Sequence, residues 1–356
     1  MKNMKYYWVL AIMIFASACE KVKNEKVENK NVPVQKQKVL IIDGQNNHYV
    51  WPKTTQIMKS YLEQTDLFEV DIYRTDTIWL GIKYNKETPG TLEKYITEYP
   101  IDSAKHFISA EPVKTTDVPI DFNKYDLIVS NFGERVANLP ESTKRNLENY
   151  MNNGGGLVVV HAANNAWGDW PEFNKMIGLG AWGGRDSISG SYAYYDNNDE
   201  LQVDPSPGTC GSHGAQHEYL VTTREPEHPI MKGLPLKWLH TKDEMYERMR
   251  GPFENATILA TAYGDVEKNA QTWEPELKGT GWNVPTMMVI NYGKGRIFHT
   301  TLGHFDYSME CVGFMTTFQR GAEWAATGEV TQEIPDDFPT EEKSSSRIWK
   351  QGTADE

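Results

Sequence analysis

Asn152–Asn165, NNGGGLVVVHAANN, is the stretch whose reading decides the fold. Three glycines allow a sharp turn at positive φ after a helix. Leu157–Val160 is a short unbroken apolar run rich in β-branched residues, the pattern of a strand buried on both faces of a parallel sheet. His161 stands where that strand ends, and small residues, two asparagines and Trp167 follow. Open α/β sheets bind ligands outside the carboxyl ends of their strands, so a titratable imidazole there is a candidate by position. The plainer reading is a histidine that hydrogen-bonds a neighbouring loop.

Working outward, Val39–Asp43 (VLIID) reads as the first strand and Gly44–Tyr49 as a polar turn. A helix is predicted from Pro52 to about Gln64, then a strand over Phe68–Tyr73. Strand, helix, strand opens a right-handed parallel unit. Thr75–Pro119 is too long and polar for a connection and reads as an insertion. A third strand is predicted at Tyr125–Phe132 and a helix at Glu141–Asn152. Trp167–Leu179 reads as a further helix and Gly180–Ser212 as a long loop or hairpin region. Strands are predicted at Tyr219–Thr223, Thr257–Ala262, Thr286–Asn291 and Ile297–Leu302, and a closing helix at Phe314–Ala326. The alternation argues for a doubly wound α/β sheet with long insertions.

The chain has 356 residues and a net charge of −13, which argues against a nucleic-acid partner. Lys2 and Lys5 precede a mostly apolar Tyr6–Phe15, and Ala16-Ser17-Ala18-Cys19 follows. This order predicts a signal peptide over 1–18 that ends in a bacterial lipobox, with Cys19 lipidated. An ordinary cleaved signal or a short anchor is the alternative. The expected organisation is a flexible tether over 19–38, an α/β domain over 39–330 and a frayed tail over 331–356. The expected location is the cell envelope, lipid-anchored in a bacterial membrane. Cys210 and Cys311 are either a disulfide pair or buried thiols.

The histidines carry the chemistry. His48 and His161 lie just past strands, and His299 and His304 flank the end of the last strand. His213 and His217 have the four-residue spacing of helical zinc ligands, although Gly214 weakens a helix there. They are the candidate site for a divalent metal such as zinc. For His228 and His240 turn or capping hydrogen bonds are favoured, and His299 reads as half buried. In Asp243-Glu244, an extended backbone would aim the two carboxylates to opposite sides, so one alone could enter a site. A salt bridge to Arg248 or Arg250 is the alternative. A Gly-x-Ser-x-Gly elbow, a P-loop and a dinucleotide fingerprint are all absent from the sequence.

Several stretches together resemble the ThuA-like family, named for trehalose utilisation: GGGLVVVHAA at 154–163, GSHGAQHEYLV at 211–221, EHPIMKGLP at 227–235, HTKDEMYERMRGP at 240–252, ILATAY at 258–263 and YGKGRIFHTTLGH at 292–304. The resemblance implies a flavodoxin-like three-layer α/β/α sandwich with a mostly parallel sheet, similar to the class I glutamine amidotransferases. The cysteine nucleophile of those enzymes has no counterpart here, since His161 stands near its place. The resemblance also implies a role in sugar catabolism, including disaccharides oxidised at C3. His48, His161, His213, His217, Asp243, Glu244, Arg296 and His304 match the family's motifs.

The resulting expectation is an enzyme that acts on a keto-sugar or glycoside by proton transfer between histidines and carboxylates, and not a glutamine amidotransferase. His161, Asp243 and Glu244 are candidate bases, with His304 or Arg296 stabilising the developing charge. Asn46, His48, Asn164 and Trp167 are candidate substrate contacts. The rival expectations are a lipid-anchored sugar-binding or scaffold protein without turnover, and a structural envelope protein.

Overall fold

The computed structural model describes residues 35–79, 81, 87, 88, 90–101 and 105–352. The predicted signal peptide, Cys19 and most of the predicted tether lie outside these residues. In chain order the elements are β1 (Gln37–Gln45), α1 (Trp51–Glu63), β2 (Phe68–Trp79), α2 (Thr91–Glu98), β3 (Phe107–Ile108), β4 (Leu127–Ser130), α3 (Glu141–Asn152), β5 (Gly156–Val160) and α4 (Pro171–Ile177). They continue as β6 (Tyr192–Tyr195), β7 (Leu201–Asp204), β8 (His217–Thr223), β9 (Lys237–Asp243), β10 (Ala256–Tyr263), β11 (Asn283–Tyr292), β12 (Gly295–Thr300), α5 (Asp306–Met309) and α6 (Val312–Thr327).

The main sheet runs β3-β2-β1-β4-β5-β12-β11-β10-β8-β9. Pairings from β3 across to β12 are parallel, and those from β12 to β9 are antiparallel. The parallel core β2-β1-β4-β5-β12 has the flavodoxin order, second, first, third, fourth, fifth. The antiparallel strands extend it as a wing, and the β6–β7 hairpin attaches to β11.

Period-two alternation makes the layers. Val39, Ile41, Val158, Val160 and Phe298 enter one core with α1 and α6. Leu40, Ile42, Leu157, Val159 and Ile297 enter the other with α3 and α4. The sheet is therefore covered on both faces, the α/β/α sandwich that the apolar run at 157–160 implied.

Of the three glycines before β5, Gly154 alone takes a positive φ, +109°. The other two are required by crowding. A Cβ on Gly155 would meet the Tyr150 ring at 2.3 Å, and one on Gly156 the Ala325 carbonyl at 2.6 Å.

Several local expectations are corrected. β2 continues to Trp79, and the 75–119 region expected as an insertion carries α2 and β3. The helix expected over 167–179 is confined to Pro171–Ile177. β9 was not anticipated. Its buried Trp238, His240 and Asp243 alternate with half-buried or exposed neighbours, but lysines and histidine masked the apolar period. The segment after Gly328 does not fray within the described residues. Thr340 O accepts the Leu239 N–H at 2.8 Å, Ser345 O accepts the Val312 N–H at 2.9 Å, and Ile334, Phe338 and Trp349 pack on the core. Cys210 and Cys311 are both free thiols. No helix among the described residues is long and apolar enough to cross a membrane.

Candidate functional site

The parallel core puts the ends of β1, β4, β5 and β12 side by side. β1 and β4 flank the switch point of the topology, where ligands bind in this class of sheet. Asp43 ends the apolar run of β1 in a buried bidentate pair with Arg74 of β2, at 2.9 and 2.7 Å, and accepts the Thr55 hydroxyl at 2.8 Å. This anchors the turn that carries His48. Asn131, past β4, donates to Thr55 Oγ1 at 2.8 Å. Asn46 donates to the carbonyls of Asn131 and Phe132, so its amide oxygen must face the other way. That oxygen accepts the His48 backbone N–H at 2.8 Å and lies 3.2 Å from Nδ1, fixing the proton on Nδ1.

His161 ends β5 at φ +45°, a left-handed conformation costly for a residue with a Cβ. Its Nδ1–H donates to the Thr301 carbonyl at 2.6 Å. Its Nε2 is buried and has no hydrogen-bond partner among the described residues. His304 follows β12. Its Nδ1 lies 2.8 Å from the Gln216 amide, whose other end meets the Tyr307 hydroxyl.

Glu244 comes from the opposite side, straight after β9. Its carboxylate stands 3.8 Å from His161 Nε2, 3.6 Å from His304 Nε2 and 3.2 Å from His213 Nδ1. Asp243 points away from Glu244 into the fold, where it accepts His240 Nε2–H at 2.8 Å. It also accepts the backbone N–H groups of Gly303 (2.8 Å), Glu244 (2.9 Å) and His304 (3.1 Å). Its oxygens are fully engaged, so Asp243 positions the site and does not face it. Gly303, at φ +95°, lets this loop lie against Phe314, where a Cβ would come within 2.7 Å of the ring.

One donor atom from each of His48, His161, Glu244 and His304 lies within 4.8 Å of the others. Burial dominates their protonation. It pulls His161 down to about 4, against the opposing influence of Asp243 and the Thr301 bond. It lowers His48 and His304 well below the usual imidazole range, helped by the neighbouring imidazoles. Burial, then the charge of Asp243, raises Glu244 well above the usual carboxylate range. A cluster of neutral imidazoles around a reluctant carboxylate is suited to proton transfer or to holding a cation. His48, Glu244 and His304 line a pocket of about 600 Å³, whose walls include Asn47, Trp79, Arg135, Gln216 and Phe305, and His161 lies buried behind them against a small internal cavity shared with His48 and His304.

The remaining expected residues lie elsewhere. Arg296 sits at the opposite end of β12 and donates to the carbonyls of Trp324, Ala325 and Ala326 at the end of α6. The direction of β12 separates it from His304, so it cannot stabilise charge in this pocket. His213 and His217 do not form a helical pair. His217 begins β8, and its ring donates to Ala215 O at 2.9 Å, while His213 alone reaches Glu244. Asn46 has its amide committed to scaffolding rather than free for substrate. Asn164 is fully buried and lies 3.0 Å from His299 Nε2. Trp167 donates its indole N–H to Ala137 O at 2.9 Å and packs against Phe132, Trp170 and Phe173 in the core. His299 is fully buried, not half buried. Glu244 makes no ion pair with Arg248 or Arg250, whose nearest charged or aromatic partners are Glu247 and Tyr192.

Sequence reasoning missed Gln216, Asn131 and Tyr246. Gln216 lies between the two highlighted histidines, and Asn131 directly follows an apolar strand, a position of the kind that singled out His161. The Tyr246 ring lies 4.2 Å from the His161 ring, tilted by 35°, a contact with no sequence signature.

A family model described as ThuA, trehalose utilisation, matches residues 103–325. Among solved structures, a ThuA-like protein of Parabacteroides merdae is 39% identical, covering 88% of this chain and 98% of its own, with a TM-score of 0.70. A ThuA-like protein of Bacteroides uniformis is 18% identical, covering 83% of this chain and 92% of its own, with a TM-score of 0.48, too remote to bear on the site. No curated protein matches the sequence.

Proposed function

Because this chain belongs to the ThuA (trehalose utilisation) family, we propose that it is a carbohydrate-processing enzyme that takes an oxidised, keto-bearing glycoside in the pocket floored by Glu244. The observation that carries the reading is the Glu244 carboxylate, buried among three imidazoles and raised well above its usual range. A base used near neutral pH needs such a shift.

A ketone at C3 of a sugar acidifies the C2 hydrogen. Glu244 takes that proton, and the electron pair moves into an enediolate. The pair then forms the C1–C2 double bond as the C1–O bond breaks, and the departing oxygen takes a proton from the pocket. Glu244, which then carries the proton taken from C2 and is held well above the usual carboxylate range, is the donor suited to that last transfer. Asp243 and Gln216 keep Glu244 and His304 in place. A pocket wall polar through Asn47, Arg135 and Gln216 and aromatic through Trp79 and Phe305 suits a hydroxylated ring with an apolar face. The same aromatic rim would serve a sugar-binding protein without turnover, and the assay below separates the two.

The envelope location and lipid anchor belong to this proposal through Cys19 and the residues before it. The test incubates the chain with a 3-keto-glucoside in D2O and follows C2 deuteration and aglycone release by NMR. Both are expected, with a loss of about 10²-fold or more in Glu244→Gln. Saturable binding with neither exchange nor release would leave a binding protein, and equal rates in parent and variant would remove Glu244 from the chemistry.

A further inference from the structure

His48, His161 and His304 reach one point from three separate strand ends, after β1, β5 and β12. Each ring has its Nδ1 engaged from behind. The His48 Nδ1–H meets the Asn46 amide oxygen, the His161 Nδ1–H meets the Thr301 carbonyl, and His304 Nδ1 meets the Gln216 amide. Metal-binding histidines are oriented in this way, the far nitrogen held so that the near one faces the ion. The Gln216 amide can turn end for end, with Tyr307 exchanging donor for acceptor, so His304 can present a free Nε2.

His161 Nε2 is the telling atom. It is buried, lacks a hydrogen-bond partner among the described residues and faces Glu244. An orphaned acceptor in that position has a cost unless something fills it.

We propose that the Nε2 atoms of His48, His161 and His304, with one carboxylate oxygen of Glu244, bind a single divalent transition-metal ion, zinc being the ion this donor set favours. The inference goes beyond the acid–base reading, since it holds for the pocket whatever substrate enters. Ligands around tetrahedral zinc stand about 3.4 Å apart. Glu244 Oε2 is already 3.6 Å from His304 Nε2 and Glu244 Oε1 3.8 Å from His161 Nε2, so bringing one of these oxygens onto the ion needs a rotation of the carboxylate and small movements of the rings. The contact of Asn47 Nδ2 with His48 Nε2 is at the outer limit of hydrogen bonding, 3.5 Å, and yields readily. Three neutral imidazoles and one carboxylate leave an ion of net charge +1 at the pocket floor. A carbonyl oxygen entering the pocket could then be polarised there. The Glu244 oxygen that does not bind the ion stays available for proton transfer.

The test uses the full chain without a purification tag. Elemental analysis is made first; the chain is then stripped with chelator and titrated with Co²⁺, read by visible absorption. Close to one equivalent of zinc or a neighbouring transition metal is expected, with a tetrahedral-type Co²⁺ band and a drop in Tm on stripping. His48→Gln and His304→Gln are expected to weaken Co²⁺ binding by about 100-fold or more while melting like the stripped parent. His217→Ala should titrate like the parent. A metal-free parent with no Co²⁺ band, or variants that bind as the parent does, overturns the proposal. Metal binding without keto-glycoside turnover removes only the catalytic reading, and turnover unaffected by chelation removes only the metal.

Discussion

Asp243 and His304 lie 61 residues apart, and the Asp243 carboxylate accepts the backbone N–H of His304 at 3.1 Å. The same carboxylate holds the N–H of Glu244 at 2.9 Å. One buried acceptor thus fixes the two loops that meet across the pocket.

Asp243→Asn is expected to loosen both loops. An amide keeps one acceptor oxygen and turns its NH2 toward groups that also donate. Removing one partner of a buried, charged network costs about 3–5 kcal/mol. Urea denaturation should show that loss, and keto-glycoside turnover should fall with it. Unchanged stability would mean that the loops hold themselves.

Glu244→Gln should have the opposite signature. The carboxylate is buried and raised by burial and by Asp243, so it is held at a cost. In the chelator-stripped chain the neutral amide is expected to raise stability by about 1 kcal/mol, as replacements at destabilised functional sites do. Paired melting and turnover measurements read this as a higher Tm with lost activity.

Arg296→Ala is expected to leave turnover and metal content unchanged. Its guanidinium caps the carbonyls at the end of α6, so the loss should appear as about 1–2 kcal/mol of stability. A urea midpoint and a turnover rate on the same preparation check both halves.

His299 gives the chain an acid sensitivity independent of catalysis. Burial lowers it to about 4; the Ile177 bond opposes this, and the nearby Arg185 and His161 act with burial. The unfolded histidine titrates near 6.5, so the unfolded state binds the extra proton first. The contribution is fully present above that pH, falls as pH drops from about 6.5 toward 4, and amounts to roughly 3 kcal/mol. Urea midpoints at pH 7 and 5 should differ less in His299→Asn than in the parent.

Truncation after Val330 should cost several kcal/mol. Ile334, Phe338 and Trp349 pack on the core, and the Glu323 carboxylate accepts Thr331 N–H at 2.7 Å and Gln332 N–H at 3.1 Å. These three side chains are half-buried, so each contributes less than the about 1.5–3 kcal/mol of a fully buried one, and a loss near 4 kcal/mol is expected by urea denaturation.

The sandwich was legible because strands buried on both faces are apolar without interruption, as Leu157–Val160 is. The placement of His161 and His304 at strand ends followed from the same pattern, whereas the divergence of Asp243 and Glu244 followed from the alternation of adjacent side chains along an extended backbone. Arg296 was misplaced because proximity in sequence to His304 ignores the rise of the strand between them, which puts the two residues at opposite ends of β12. The His213–His217 spacing suggested a helix that the chain does not form, since a β-rich run begins at His217. Asn46, Asn164 and Trp167 face inward because the side-chain N–H groups of each find a backbone or core partner, and such pairing is visible only once distant segments meet. The tail read as frayed because Ser345 and Thr340 dock through backbone groups, which carry no side-chain signal.

β12 is the last strand of the chain, yet it lies between β5 and β11 in the middle of the sheet. A ribosome delivers this chain from its amino end. Until β12 emerges, the nascent protein therefore holds two separate partial sheets, each with an unpaired edge. Such edges are where half-made proteins stick to one another. Arrival of β12 seals both edges and brings His304 to the two imidazoles already made, so closure of the sheet and completion of the pocket are one late event in biosynthesis.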